Sequence, residues 1–230
     1  TLHRQIDMSK DLRSVLIAAV ALMVAVALGY WTYGTYRKSA AGKEGIALAQ
    51  DTARRLQEAL GVEAGRPSTA TVQAMDEHAA AASRNLDALR RGSAAGKPEL
   101  TDALDDFVLT GREILVRHAA SFRFRQQFLA SSQALREHMR ADNRTGAWVR
   151  EAVQRKERVE KDYRDYASAA EAFDKLLDSF PAAVARLASR SKAAPLVDEK
   201  LVVEARKRSR AAFKQATDEV ERIRQFAVPR

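Results

Sequence analysis

The sequence predicts an all-α protein, a single N-terminal transmembrane helix followed by a long-helix antiparallel bundle. Three observations predict it. No charged residue occurs between Arg13 and Arg37; apolar residues recur at three- and four-residue spacing over most of the remaining chain; and 10 Gly and 5 Pro in 230 residues leave few places where a helix must stop. Ala, Leu, Arg, Glu and Gln dominate, and β-branched runs are scarce, so no sheet is expected.

The reading divides the chain into a short cytoplasmic tail (1–13), a transmembrane helix (14–36) and a helical-bundle domain (37–230). The run from Val15 to Leu28 is continuously apolar and leads into Tyr30, Trp31, Tyr33 and Tyr36. About 20 residues at about 1.5 Å each cross a hydrocarbon core of about 30 Å. The four rings suit an interfacial belt, since each offers an apolar body and a polar tip. A cleaved signal peptide competes through Ala25-Val26-Ala27, but the apolar run is longer than an h-region needs. Ala21, Ala25 and Gly29 share one helical face on which another helix could approach closely. Basic residues balance across the span, Arg4, Lys10 and Arg13 against Arg37, Lys38 and Lys43. The short tail therefore decides the orientation, with the bulk of the chain outside the cytoplasm. The Ala- and Arg-rich composition suggests a bacterial inner membrane with the domain in the periplasm.

Beyond the span the helix is expected to continue as a stalk through Ile46, Leu48, Leu56 and Leu60, until the Gly61–Pro67 stretch breaks it. Ser68 or Thr69 can cap a second helix reaching Arg91. Pro98 opens a third, with Asp102, Asp105 and Asp106 near the positive end of its dipole. Its apolar series Leu100, Leu104, Phe107, Ile114, His118, Phe122, Leu129, Leu135 and Met139 predicts one long amphipathic helix. After a turn at 141–146, the series Val159, Tyr163, Tyr166, Ala170, Phe173, Leu177, Phe180 has the spacing of an antiparallel seam. Pro181 should end or kink that helix, and a last helix is expected from about Asp198 to Phe226.

The chain has no cysteine, which excludes disulfides, thiolate metal sites and iron–sulfur clusters. The four histidines, His3, His78, His118 and His138, show no metal-binding spacing, and no phosphate loop, nucleophile elbow or zinc-protease motif is present. Neither an enzyme nor a cofactor is expected. His118 reads as a core histidine, Met75 with His78 as surface residues and not haem ligands, and the acidic trio as a helix start and not a cation site. Asn143-Arg144-Thr145 matches a glycosylation acceptor by accident in such a composition.

A net charge of +9 suits anionic head groups or an acidic partner, and nucleic acid drops out if the domain lies outside the cytoplasm. The candidate contacts are Arg117, Arg123 and Arg125 on the third helix beyond the span and Arg206, Lys207, Arg208 and Arg210 on the last. The expected partners are membrane lipid and either a membrane protein or further copies of the chain.

At the seam, Arg164-Asp-Tyr166-Ala-Ser-Ala169-Ala-Glu-Ala-Phe173-Asp-Lys-Leu-Leu177-Asp-Ser-Phe180-Pro181 resembles a helix of the LemA family. The likeness covers under a tenth of the chain, with Ala167 and Asp174 where that family has asparagines. It implies a short N-terminal tail, one span and an extracytoplasmic helical bundle. The function expected is a membrane-anchored scaffold or accessory subunit. The alternative is a ligand-sensing bundle with Tyr163, Tyr166 and His118 lining a pocket and signalling through a partner.

Overall fold

The computed structural model describes residues 40–62, 65, 67–92, 98–140, 145–194 and 197–225. These form helices α1 (40–61), α2 (Thr69–Gly92), α3 (Pro98–Met139), α4 (Gly146–Arg190) and α5 (Glu199–Gln225), with no strand among the described residues. The predicted span and its belt lie outside the described residues; no described helix is long and apolar enough to cross a membrane.

Helix starts follow capping chemistry. Ser68 Oγ accepts from Thr71 N (3.0 Å), Thr145 Oγ1 from Trp148 N (3.3 Å) and Asp198 Oδ1 from Lys200 N (2.9 Å). Each occupies an amide that the helix itself leaves vacant.

Long helices α3 and α4 form an antiparallel hairpin. Phe107 meets Phe180 (ring centroids 5.7 Å), His118 meets Phe173 (4.4 Å) and His138 stacks on Trp148 (5.0 Å). Near the turn, Trp148 Nε1 donates to the His138 carbonyl (3.1 Å) while His138 Nε2 lies 3.0 Å from the Trp148 carbonyl, a reciprocal latch.

α1 runs parallel to α3 in close contact. Gly45 lies against Leu104, and Gly111 against Thr52 and Leu56. α2 returns antiparallel to α1, with Asn85 Nδ2 donating to Asp51 Oδ2 (2.9 Å) and Thr52 Oγ1 (3.1 Å). The expected stalk is thus a core helix, because Ala49, Ala53, Leu56, Ala59 and Leu60 are all buried. α5 is antiparallel to α4, tied by Asp174 to Arg206 and Arg210 and by Tyr163 Oη to Thr217 Oγ1 (2.9 Å).

Two cores result. One gathers α1, α2, the first half of α3, the end of α4 and the start of α5; the other joins Phe128 and Leu135 to Val159, Tyr166, Val220 and Ile223. Phe107, Phe128, Phe173 and Phe180 are each under 2% exposed. Burying such a ring stabilises by about 1.5–3 kcal/mol.

Of the two courses expected at Pro181 the first is ruled out, and one further expectation needs correction. α4 does not end at Pro181 but continues to Arg190. Phe180, Ala183 and Leu187 keep one buried face across the proline, and that burial offsets the missing backbone hydrogen bond. Met75 is not a surface residue but is buried in the core, 1% exposed, while His78 is half-buried with Nδ1 3.8 Å from Glu58.

Candidate functional site

The two cores meet beside the end of α1, where polar side chains collect. His118 is 6% exposed and packs its ring on Phe173 and edge-on to Phe122. Neither ring nitrogen has a hydrogen-bond partner; the Ala59 carbonyl faces the ring without reaching hydrogen-bond geometry. Desolvation lowers its pKa to about 4 despite that carbonyl, with the nearby Arg208 charge acting in the same direction as burial.

Around the imidazole lie Ser121, Arg125, Tyr166 and Arg208. Burial pushes the Tyr166 phenol up to about 12 and lowers the Arg125 pKa. Arg208 Nη2 donates to the Leu60 carbonyl, and Arg125 Nη1 donates to the Gly65 carbonyl (2.9 Å). Arg208 therefore serves the C-terminal end of α1, where free carbonyls and the negative end of the dipole attract cations, while Arg125 holds the chain just beyond it. The space between these groups measures about 30 Å³, room for a water molecule but not for an organic ligand. Tyr163, the third residue expected at a pocket, instead bonds Thr217 and stacks parallel to Phe213.

The predicted contact residues separate into kinds. Arg206 binds Asp174 (2.9 Å) and Asp178 (2.6 Å), and Arg210 binds Asp174 (2.8 Å), so both clamp α5 to α4. These guanidiniums hold the Asp174 carboxyl below its usual range against the opposing effect of burial, Arg210 contributing most. Arg123 pairs with Asp76 of α2 (2.6 Å). Lys207 is 77% exposed at 4.0 Å from Glu204. Arg117 is exposed and makes no ion pair or hydrogen bond among the described residues. Ala21, Ala25 and Gly29, like Tyr30, Trp31, Tyr33 and Tyr36, lie outside the described residues.

Of the acidic trio, Asp105 pairs with Arg90 (2.9 Å), Asp106 with Arg186 (3.1 Å), and Asp102 is exposed. No group of three or more His, Asp or Glu is placed to hold a metal ion among the described residues.

Asp162, only 9% exposed, lies in a groove between α3 and α4 with Arg155, Arg158 and Lys161. Its spacing from Val159 and Tyr166, three and four residues, is the available signal that it lies near the buried seam.

Fold and polar cluster together define a five-helix bundle whose basic residues largely bind their own chain. Compared with known proteins, the chain matches no family model, no curated protein and no solved structure.

Proposed function

We propose that this protein is a single-pass, membrane-anchored helical scaffold or accessory subunit of a bacterial membrane assembly, with its bundle outside the cytoplasm. One observation carries the reading. The apolar stretch and its aromatic group end at Tyr36, and by residue 40 the chain is in α1, a helix built into the core. An anchor so close to a packed helix would hold the bundle directly at the lipid surface, without a free spacer.

The ends of the helices support that placement. The start of α1 lies beside Leu100, and Arg190 at the end of α4 pairs with Glu99 (2.6 Å). With the anchor at this end, the α3–α4 turn would stand about 60 Å away, given the 42 residues of α3 at about 1.5 Å each. The resemblance to a LemA helix falls on residues that form the buried face of α4, among them Tyr166, Ala169, Phe173, Leu177 and Phe180, and so speaks for the same architecture.

The test is extraction of the full chain from bacterial membranes, followed by a native-mass measurement in detergent. The expected outcome is retention in the membrane through alkaline carbonate and a particle larger than one copy plus detergent. A soluble chain, or a strictly monomeric particle with no co-purifying membrane protein, overturns the proposal.

A further inference from the structure

α1 and α2 cover the hairpin only over part of its length. Gln126 Nε2 reaches Thr69 Oγ1 at the start of α2 (3.3 Å), and Arg123 pairs with Asp76. α3 then runs on to Met139. The stripe carrying Arg123 continues four, seven and eleven residues later through Gln127, Ala130 and Ala134, on which no described helix packs.

The opposite side of this half belongs to α5. Lys156 donates to the Arg224 carbonyl (3.3 Å), Arg224 approaches Glu160 (3.9 Å), and Tyr163 bonds Thr217. At about 100° per residue, these α4 positions lie roughly opposite Gln154, Arg158 and Lys161. Those three instead wall a groove of about 690 Å³ whose floor on α3 is Ala130, Ser131 and Ala134. Small side chains there let another helix approach closely.

The groove holds an imperfectly paired charge. Asp162 is 9% exposed and accepts no hydrogen bond among the described residues; its cation is Arg158, at 4.0 Å and itself 78% exposed. The Asp162 carboxylate lines the groove, and a second cation delivered there would give it the charge-assisted hydrogen bond it lacks.

We infer that the occupant of this groove is a second copy of the chain. The cation needed stands on the groove's own wall: Arg155 is bound to Glu151 (2.6 Å) and Lys161 to Asp165 (3.2 Å), which leaves the exposed, loosely paired Arg158 one turn from Asp162 on α4. A two-fold axis parallel to the helices would bring α4 of the partner over the alanine floor. It would also set Arg158 of each copy within one turn of Asp162 of the other, as a self-complementary interface requires. The choice of axis rests on the membrane-anchored reading, since two chains held in one bilayer must stand side by side in the same direction.

The absence of cysteine makes the test direct. Full-length chains carrying Ala130→Cys, Ala134→Cys or, as a control on α5, Lys207→Cys are treated in their membranes with a short bis-maleimide. The expected result is a cross-linked species of twice the chain mass for both groove positions and not for Lys207→Cys. Adding Arg158→Glu, which changes an exposed side chain, is expected to cut the dimer at least tenfold while helicity by circular dichroism is retained. Equal cross-linking at Lys207→Cys, no dimer at either groove position, or a product with a protein of different mass overturns the inference. If the chain proves soluble, the same reagents in solution still read the groove. Failure of the anchor and failure of the dimer are therefore distinguishable.

Discussion

Buried among Phe122, Phe173 and the guanidiniums of Arg125 and Arg208, the His118 imidazole is neutral at neutral pH, its pKa lowered by desolvation to about 4 from an ordinary 6.5. The unfolded chain takes up a proton near pH 6.5, the folded one only near pH 4. Between those values the unfolded state binds more protons, so this contribution is complete above pH 6.5 and is lost as pH falls toward 4. At about 1.4 kcal/mol per unit, it amounts to about 3 kcal/mol. His118→Phe keeps the ring packing and removes the titration. Its urea midpoint is expected to fall much less than the wild type's between pH 7 and pH 4.5; an equal fall in both would contradict the assignment. Asp51 acts in a separate window. Hydrogen bonds from Asn85, Arg55 and Arg54 outweigh its desolvation and hold it at about 2, so its contribution is lost only below about pH 3.8.

Among the elements, α1 and α3 approach each other closely. A Cβ at Gly111 would stand 2.9 Å from Thr52 Cγ2 and 3.0 Å from Leu56 Cδ1, whereas one at Gly61 would meet nothing within 4 Å. Gly111→Val is expected to destabilise by about 1–3 kcal/mol through overpacking, while Gly61→Ala leaves stability unchanged or raised; denaturant melts of both decide. At the other end of α3, Trp148→Phe keeps a ring against His138 but loses the indole donor to its carbonyl, an expected cost of about 1 kcal/mol in the same assay.

The α4 seam was legible because α4 buries one stripe: of the residues named there, all but the half-buried Tyr163 are buried. α3 was less legible. With helices on several sides it buries Phe107 with Val108, Ile114 with Leu115 and Ser121 with Phe122, and adjacent burial erases the three-four rhythm. Phe128, fully buried, was missed for its neighbour Leu129. In the candidate sites, the basic residues announced charge but not its use. Only tertiary structure brings Arg206 and Arg210 to Asp174, or Arg208 to the end of α1.

At the scale of the whole molecule, the two cores give the bundle unequal halves. One half, at the end where α1 begins, draws on all five helices. The other has three helices and ends in the latched turn of His138 and Trp148. With the proposed anchor before α1, the first half would be the membrane-proximal one, and the groove with Asp162 would lie in the distal half, within reach of a neighbour anchored in the same bilayer. The membrane-proximal placement of α1 and the choice of two-fold axis at the groove thus share one premise, that residues 14–36 hold the chain in a membrane with the bundle on the far side from the tail.

That premise is tested most directly by single-cysteine labelling of the otherwise cysteine-free full chain in spheroplasts, with a membrane-impermeant maleimide applied before or after lysis. Arg140→Cys at the distal turn and Lys207→Cys on α5 are expected to label before lysis, and Ser9→Cys in the tail only after it. Labelling of Ser9→Cys alone before lysis, or recovery of all three variants in the soluble fraction, would contradict the account.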